Sequence, residues 1–130
     1  MELMNRKDWI DLQLKDDNFM FRLANISGNQ IGLPMMIWID VKEDGVNESP
    51  RLLFTDRPSE YAYYGMVPIT LDSKNPEIMI KDDSISVSDA DLEALRKWIT
   101  VHYVELMKVW NGEISHCEFI IQLLSKIKTI

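Results

Sequence analysis

The sequence predicts an α+β fold, an antiparallel sheet of about five strands followed by two C-terminal helices packed on one of its faces. Three observations carry this expectation. Up to Val87 apolar residues tend to alternate with polar ones, and turn-forming residues recur at short intervals. From Ser88 onward the apolar period becomes helical. No repeat, low-complexity tract or linker separates the two regimes, so residues 1–130 are expected as a single α+β domain.

In chain order, Ile10, Leu12 and Leu14 alternate with Asp11, Gln13 and Lys15, which reads as a strand, although Asn5 and Asp8 equally suit the start of a short helix. The strand is the preferred reading. Phe19, Phe21 and Leu23 repeat the alternation, and Ser27, Gly28 and Asn29 suit a turn. Between Leu33 and Val41, residues Met35, Ile37, Ile39 and Val41 fall on one face and Met36, Trp38 and Asp40 on the other, as expected of a central strand. Pro34 cannot donate to a ladder and should mark its beginning. Asp44 and Gly45 form the dipeptide of a tight hairpin, after which Leu52, Leu53 and Phe54 return. Val67, Ile69 and Leu71 alternate once more, Pro68 among them suggests an edge or a bulge, and Ile78 and Ile80 suit a further strand.

The C-terminal third is more explicit. Ser88 is placed as an N-cap with Asp91 three residues on. At about 100° per residue, Leu92, Leu95, Trp98, Ile99, Tyr103, Leu106, Val109 and Trp110 share one arc of a helix. Asn111 and Gly112 tolerate the left-handed conformation that ends a helix, and Ser115 with Glu118 gives a full capping box for the next. In that second helix Cys117, Phe119, Ile120, Ile121, Leu123, Leu124 and Ile127 span about 200°, wider than one-sided burial needs. Burial between the first helix and a sheet, or self-association through the 116–128 helix, would each use that width.

Composition narrows the function classes. A content of 46% hydrophobic and 27% charged residues is that of an ordinary globular chain. The net charge is −7, and it is uneven: up to Val87 there are 15 acidic and 9 basic residues, from Ser88 only 6 and 5. Such a balance argues against nucleic acid, whose phosphates demand clustered Lys and Arg. Cys117 is the single cysteine, so no intrachain disulfide can form, and no apolar run approaches the length that crosses a bilayer. A cytoplasmic chain with no membrane partner is expected. No phosphate-cradling glycine loop, nucleophile elbow or zinc-helix motif occurs, which leaves no assigned catalytic residue, metal or cofactor.

His102 is the clearest polar anomaly of the apolar arc, expected to be at least partly buried. It reads either as a hydrogen-bonded core or boundary histidine, the preferred reading, or as a general base or ligand. His116, Cys117 and Glu118 are adjacent, but successive helical side chains diverge and cannot share one ion. A Cys117 in an apolar surround is expected to be inert rather than paired catalytically with His102. Tyr61, Tyr63 and Tyr64, with Arg57 and Arg51 nearby, form a candidate recognition loop, or else fold back over the sheet edge. The pairs Asp16–Asp17 and Asp82–Asp83 are expected as solvated turn charges.

The spacing Trp98, His102, Glu105, Leu106, Trp110 resembles the terminal helix of a family of small bacterial domains of unknown function, some of whose members lie beside toxin-antitoxin genes. The stretch from Trp110 to Ile114, with Gly32 to Trp38 upstream, is similar to uncharacterised small proteins of bacterial mobile elements. Both histidines here follow Val87, so the early His-rich strand of the former family has no counterpart. The resemblance implies a small bacterial α+β domain with Trp98, His102, Glu105 and Trp110 as its shared marks. The expectation drawn from residues and resemblance together is a non-enzymatic protein-interaction or accessory module. A small ligand-binding domain or enzyme organised around His102 and the Tyr61–Tyr64 loop is the rival.

Overall fold

The computed structural model describes residues 3–16, 19, 23–43, 49–56 and 66–128, the side chains of 126–128 excepted. A helix α1 (Arg6–Leu14) precedes strand β1 (Ala24–Ile26), a one-turn helix α2 (Gly28–Ile31) and strands β2 (Ile37–Ile39), β3 (Arg51–Thr55) and β4 (Met66–Thr70). Helices α3 (Asp89–Val101), α4 (Tyr103–Trp110) and α5 (His116–Lys128) follow. The strands form an antiparallel meander in the order β1-β2-β3-β4. This is the expected α+β class with one strand fewer among the described residues. Where a fifth was expected, Ile78 makes a single bridge to Ile69, and Ile80 is simply buried.

The N-terminal strand reading is overturned. Asn5 Oδ1 accepts from the Asp8 backbone N–H at 2.8 Å, starting a helix instead. The buried set there is Arg6, Trp9 and Ile10, a helical spacing, while Leu12 and Leu14 of the alternation face solvent. Of the second alternation, Phe21 lies outside the described residues, Phe19 is buried edge-on to Trp9, and pairing starts only at Ala24. The expected Ser27–Asn29 turn is the start of α2. The Asp44–Gly45 hairpin also lies outside the described residues.

Register shows how the sheet is covered. Ile26, Ile37, Ile39, Leu52, Phe54, Val67 and Ile69 lie on one face through the pairings Ile26 to Ile37, Ile37 to Phe54 and Leu52 to Ile69. The other face carries Trp38, Arg51, Leu53, Thr55, Met66 and Pro68. All of β3 is buried, so neither face of it is bare. Helix α1 lies over the second face, where the Arg51 guanidinium carbon sits 5.2 Å from the Trp9 ring centre. The first face and the inner residues of α3 and α4 (Leu95, Ile99, Leu106, Val109 and Trp110) are buried in one apolar cluster. β2 is an interior strand, as expected, but it is limited to Ile37–Ile39, and Pro34 lies in a bend before it instead of marking its first residues. Pro68 stands on the outer strand, its carbonyl accepting from Met79 N–H at 2.9 Å, so its missing donor faces away from β3.

The helix boundaries follow the sequence closely. Ser88 Oγ accepts from Asp91 N–H and Ser115 Oγ from Glu118 N–H. After Trp110 the chain closes with Glu113 N–H on the Lys108 carbonyl and Gly112 N–H on that of Val109, with Gly112 at φ 77°, a Schellman ending. The long helix expected from Ser88 to Trp110 is interrupted at His102, whose backbone (φ −101°, ψ 14°) leaves the helical range although its N–H still reaches the Trp98 carbonyl. Thr100 offers the cause. Its hydroxyl donates to the Lys97 carbonyl one turn back, a competition that bends helices. Among the described side chains of α5, Phe119 and Leu123 are buried, Ile120 and Leu124 half-buried, and Cys117 and Ile121 exposed, so the described part of the broad apolar arc is partly covered.

Candidate functional site

A groove lies beside the helix break at His102. It is about 300 Å³ in volume and lined by Gly32, Leu33, Ala94, Lys97, Trp98, Val101 and His102. Gly32 ends α2 in the left-handed conformation (φ 76°), which sets Leu33 across from α3. Trp98 forms the floor: 9% exposed, it is held from below by Phe119 edge-on at 6.5 Å and flanked by the His102 ring at 4.7 Å. Val101, 65% exposed, is the rim. Of the residues described there, Lys97 and His102 supply the polar atoms of the walls. Such a surface suits an apolar group carrying negative charge.

Two sequence-level candidates, Trp98 and His102, thus meet in one place. The imidazole is half-buried and lines a solvent-open groove, intermediate between the enclosed core histidine and the exposed base. Trp110 does not join them. It is packed in the core, and its carbonyl accepts from Lys42 N–H at 2.8 Å, tying the end of α4 to the chain leaving β2. Tyr61, Tyr63, Tyr64 and Arg57 lie outside the described residues. Arg51 is no part of a surface, being buried in β3. Cys117 stands exposed on the outer side of α5, which corrects its expected apolar surround.

Sequence reasoning missed two buried ion pairs. Arg6 donates through Nη1 and Nη2 to the two Asp56 oxygens at 2.8 and 2.7 Å, and Ser86 N–H adds a third bond to Asp56. Arg51 donates through Nε and Nη2 to Asp40 Oδ2 and through Nη2 to Gln13 Oε1, while Asp40 Oδ1 accepts from Val41 N–H. The available signal was a charge inside an apolar strand, Asp40 two residues beyond Trp38 and Arg51 beside Leu52. A second cleft, about 240 Å³, lies between α2 and the end of β3, with Asp56 and Asp91 among its lining. With three donors on it, Asp56 acts there as a cross-link.

Asp82, expected as a solvated turn charge, takes Ser84 N–H in its own turn and also reaches another element. Its Oδ2 accepts from the Arg6 backbone N–H at 2.9 Å, capping α1 from a distant loop. The Ser84 hydroxyl, then the N–H groups of Arg6 and Ser84, hold its carboxyl down to about 2. Asp72 is lowered likewise, by the N–H groups of Lys74 and Asn75. Among the described residues no three His, Cys, Asp or Glu side chains gather as a metal would need, and no helix is long and apolar enough to cross a membrane.

The fold and groove define a small α+β protein with a four-stranded antiparallel meander and a tryptophan-floored surface groove. Comparison with protein-family models, with curated proteins and with solved structures found no match.

Proposed function

We propose that this chain is a non-enzymatic protein-interaction or accessory module, antitoxin-like in kind, which holds an apolar segment of another protein against Trp98. The observation that carries this reading is the groove itself, with a nearly covered tryptophan in its floor, a projecting valine at its rim, and a lysine and a histidine beside them. The exposed Val104 and Ile121 extend apolar surface along α4 and α5. The buried ion pairs support it indirectly, since their charges are spent on structure and not presented to a substrate.

The test is co-expression of the full chain with the product of its neighbouring gene, followed by light scattering on a sizing column. A stoichiometric complex that Val101→Asp dissolves, with an unchanged circular dichroism spectrum, is the expected result. A chain that stays monomeric and alone, or a complex indifferent to Val101→Asp, counts against it. The alternative of a small ligand-binding domain around His102 draws on the half-exposed imidazole in the same groove. Ligand-observed NMR with small aromatic acids distinguishes it, because saturable binding displaced by His102→Ala would favour that reading.

A further inference from the structure

On the far side of Lys97 from the groove lies a separate notch of about 170 Å³, between α3 and the turn that follows β4. Lys74, Arg96 and Lys97 line it, giving three cations in a chain whose net charge is −7. We propose that this notch binds inorganic phosphate in a protonated form.

Of the three donors Arg96 is the one held in place, and the two lysines are exposed beside it. Arg96 is half-buried, and its Nε donates to the Pro76 carbonyl at 2.9 Å, which fixes the guanidinium plane and leaves the Nη edge for a ligand. Lys74 sits on a turn pinned by Asp72, whose Oδ1 accepts from the N–H groups of both Lys74 and Asn75. Lys97, next to Arg96 on α3, diverges from it at the backbone and lines both the groove and this notch, so only its long, exposed side chain brings its ammonium toward the anion.

The acceptors decide which anion. Glu93 also lines the notch, one turn before Arg96, and a carboxylate there repels an oxyanion that has no proton. The Thr100 hydroxyl spends its proton on the Lys97 carbonyl and offers only lone pairs inward. A site with donors on one side and acceptors on the other suits an anion that is both acceptor and donor. Phosphate near neutral pH retains at least one proton, which Glu93 or Thr100 can accept, whereas sulfate carries none. A phosphomonoester, whose second pKa is about 6, is mostly without its proton at pH 7.5. The geometry therefore selects free hydrogen phosphate over both.

Amide NMR titration of the full chain at pH 7.5 and fixed ionic strength tests this, with potassium phosphate, sodium sulfate and phosphoserine as separate probes. Expected are saturable shifts of the 74–75 and 96–100 amides with phosphate, and binding at least about tenfold weaker with sulfate and phosphoserine. Arg96→Gln should weaken phosphate by about tenfold or more, and Glu93→Gln should bring sulfate to within about twofold of phosphate. Both spectra otherwise report whether the variants remain folded, and Lys97→Met, on an exposed side chain, gives a second loss-of-charge variant. Equal affinity for phosphate and sulfate, an equal or tighter phosphoserine, absence of saturable shifts, or phosphate binding undiminished in both Arg96→Gln and Lys97→Met would each overturn the proposal.

Discussion

At the scale of single residues, Gly28 has the least room among the described glycines. A methyl group there would land on the backbone carbonyl oxygens of Leu33 and Met35, where the chain leaving α2 folds back across its own first turn. Backbone cannot step aside as a flexible side chain can. Gly28→Ala should therefore cost about 2–4 kcal/mol, visible as a lowered urea midpoint with an unchanged slope. Gly112 is limited by a different cause: nothing crowds its missing Cβ, but its φ of 77° closes α4. Gly112→Ala should cost about 1–2 kcal/mol by the same measurement. The contrast shows what single residues reveal in sequence. Gly112 was legible because Asn111 and Ser115 flank it with the chemistry of a helix end. Gly28 read only as a turn former, since the oxygens that require it come from residues whose position depends on the completed loop.

At the scale of elements, legibility followed the distance between a feature and its partner. The caps at Ser88 and Ser115 draw on an N–H three residues away, and both formed as expected. Helix α1 was misread because two local patterns competed, and part of what settles the matter is remote: Asp82 supplies the acceptor for Arg6 N–H across 76 positions of sequence. The break at His102 escaped notice because the apolar arc passes through it unaltered. The same break lies at the groove, with His102 beside the Trp98 floor. The Asp82 cap makes a pH prediction with a definite sign. Its carboxyl is lowered in the folded chain from 3.8 to about 2, so the charged form is the one the fold favours. Stability from this source is complete above the unfolded value and fades as the pH falls from about 4 toward 2. Asp82→Asn should lower the urea midpoint at pH 6, and the gap to wild type should narrow through that window. A gap that is constant from pH 6 to pH 2 would show that the charge of Asp82 contributes nothing.

At the scale of the whole molecule, sequence yielded the class and the meander, because alternation and turn spacing are properties of neighbours, while the cross-links that fasten the layers are not. Arg6 and Asp56 lie 50 positions apart and Gln13 and Arg51 lie 38 apart, so no spacing rule could join them. Their effect is to tie α1 to the sheet at two points, one near the end of β3 and one on Arg51. Both members of the first pair are nearly without exposure, 6% for the Arg6 side chain and none for Asp56, so water cannot replace a lost partner. Asp56→Ala should consequently cost about 3–5 kcal/mol, a large share of the roughly 5–15 kcal/mol that holds a domain folded. Its main effect is to strand a buried guanidinium; the worth of the pair itself is smaller. The double replacement Arg6→Met with Asp56→Leu removes both charges at similar volume, and it should lie within about 2 kcal/mol of wild type. Urea unfolding of the three chains, wild type included, gives the comparison, and repeating it in 1 M NaCl checks burial, because salt screens exposed pairs far more than enclosed ones. If Asp56→Ala and the double variant prove equally unstable, the loss comes from Ser86 and the packing around Asp56, and the two-point fastening of α1 is not what holds the layers together.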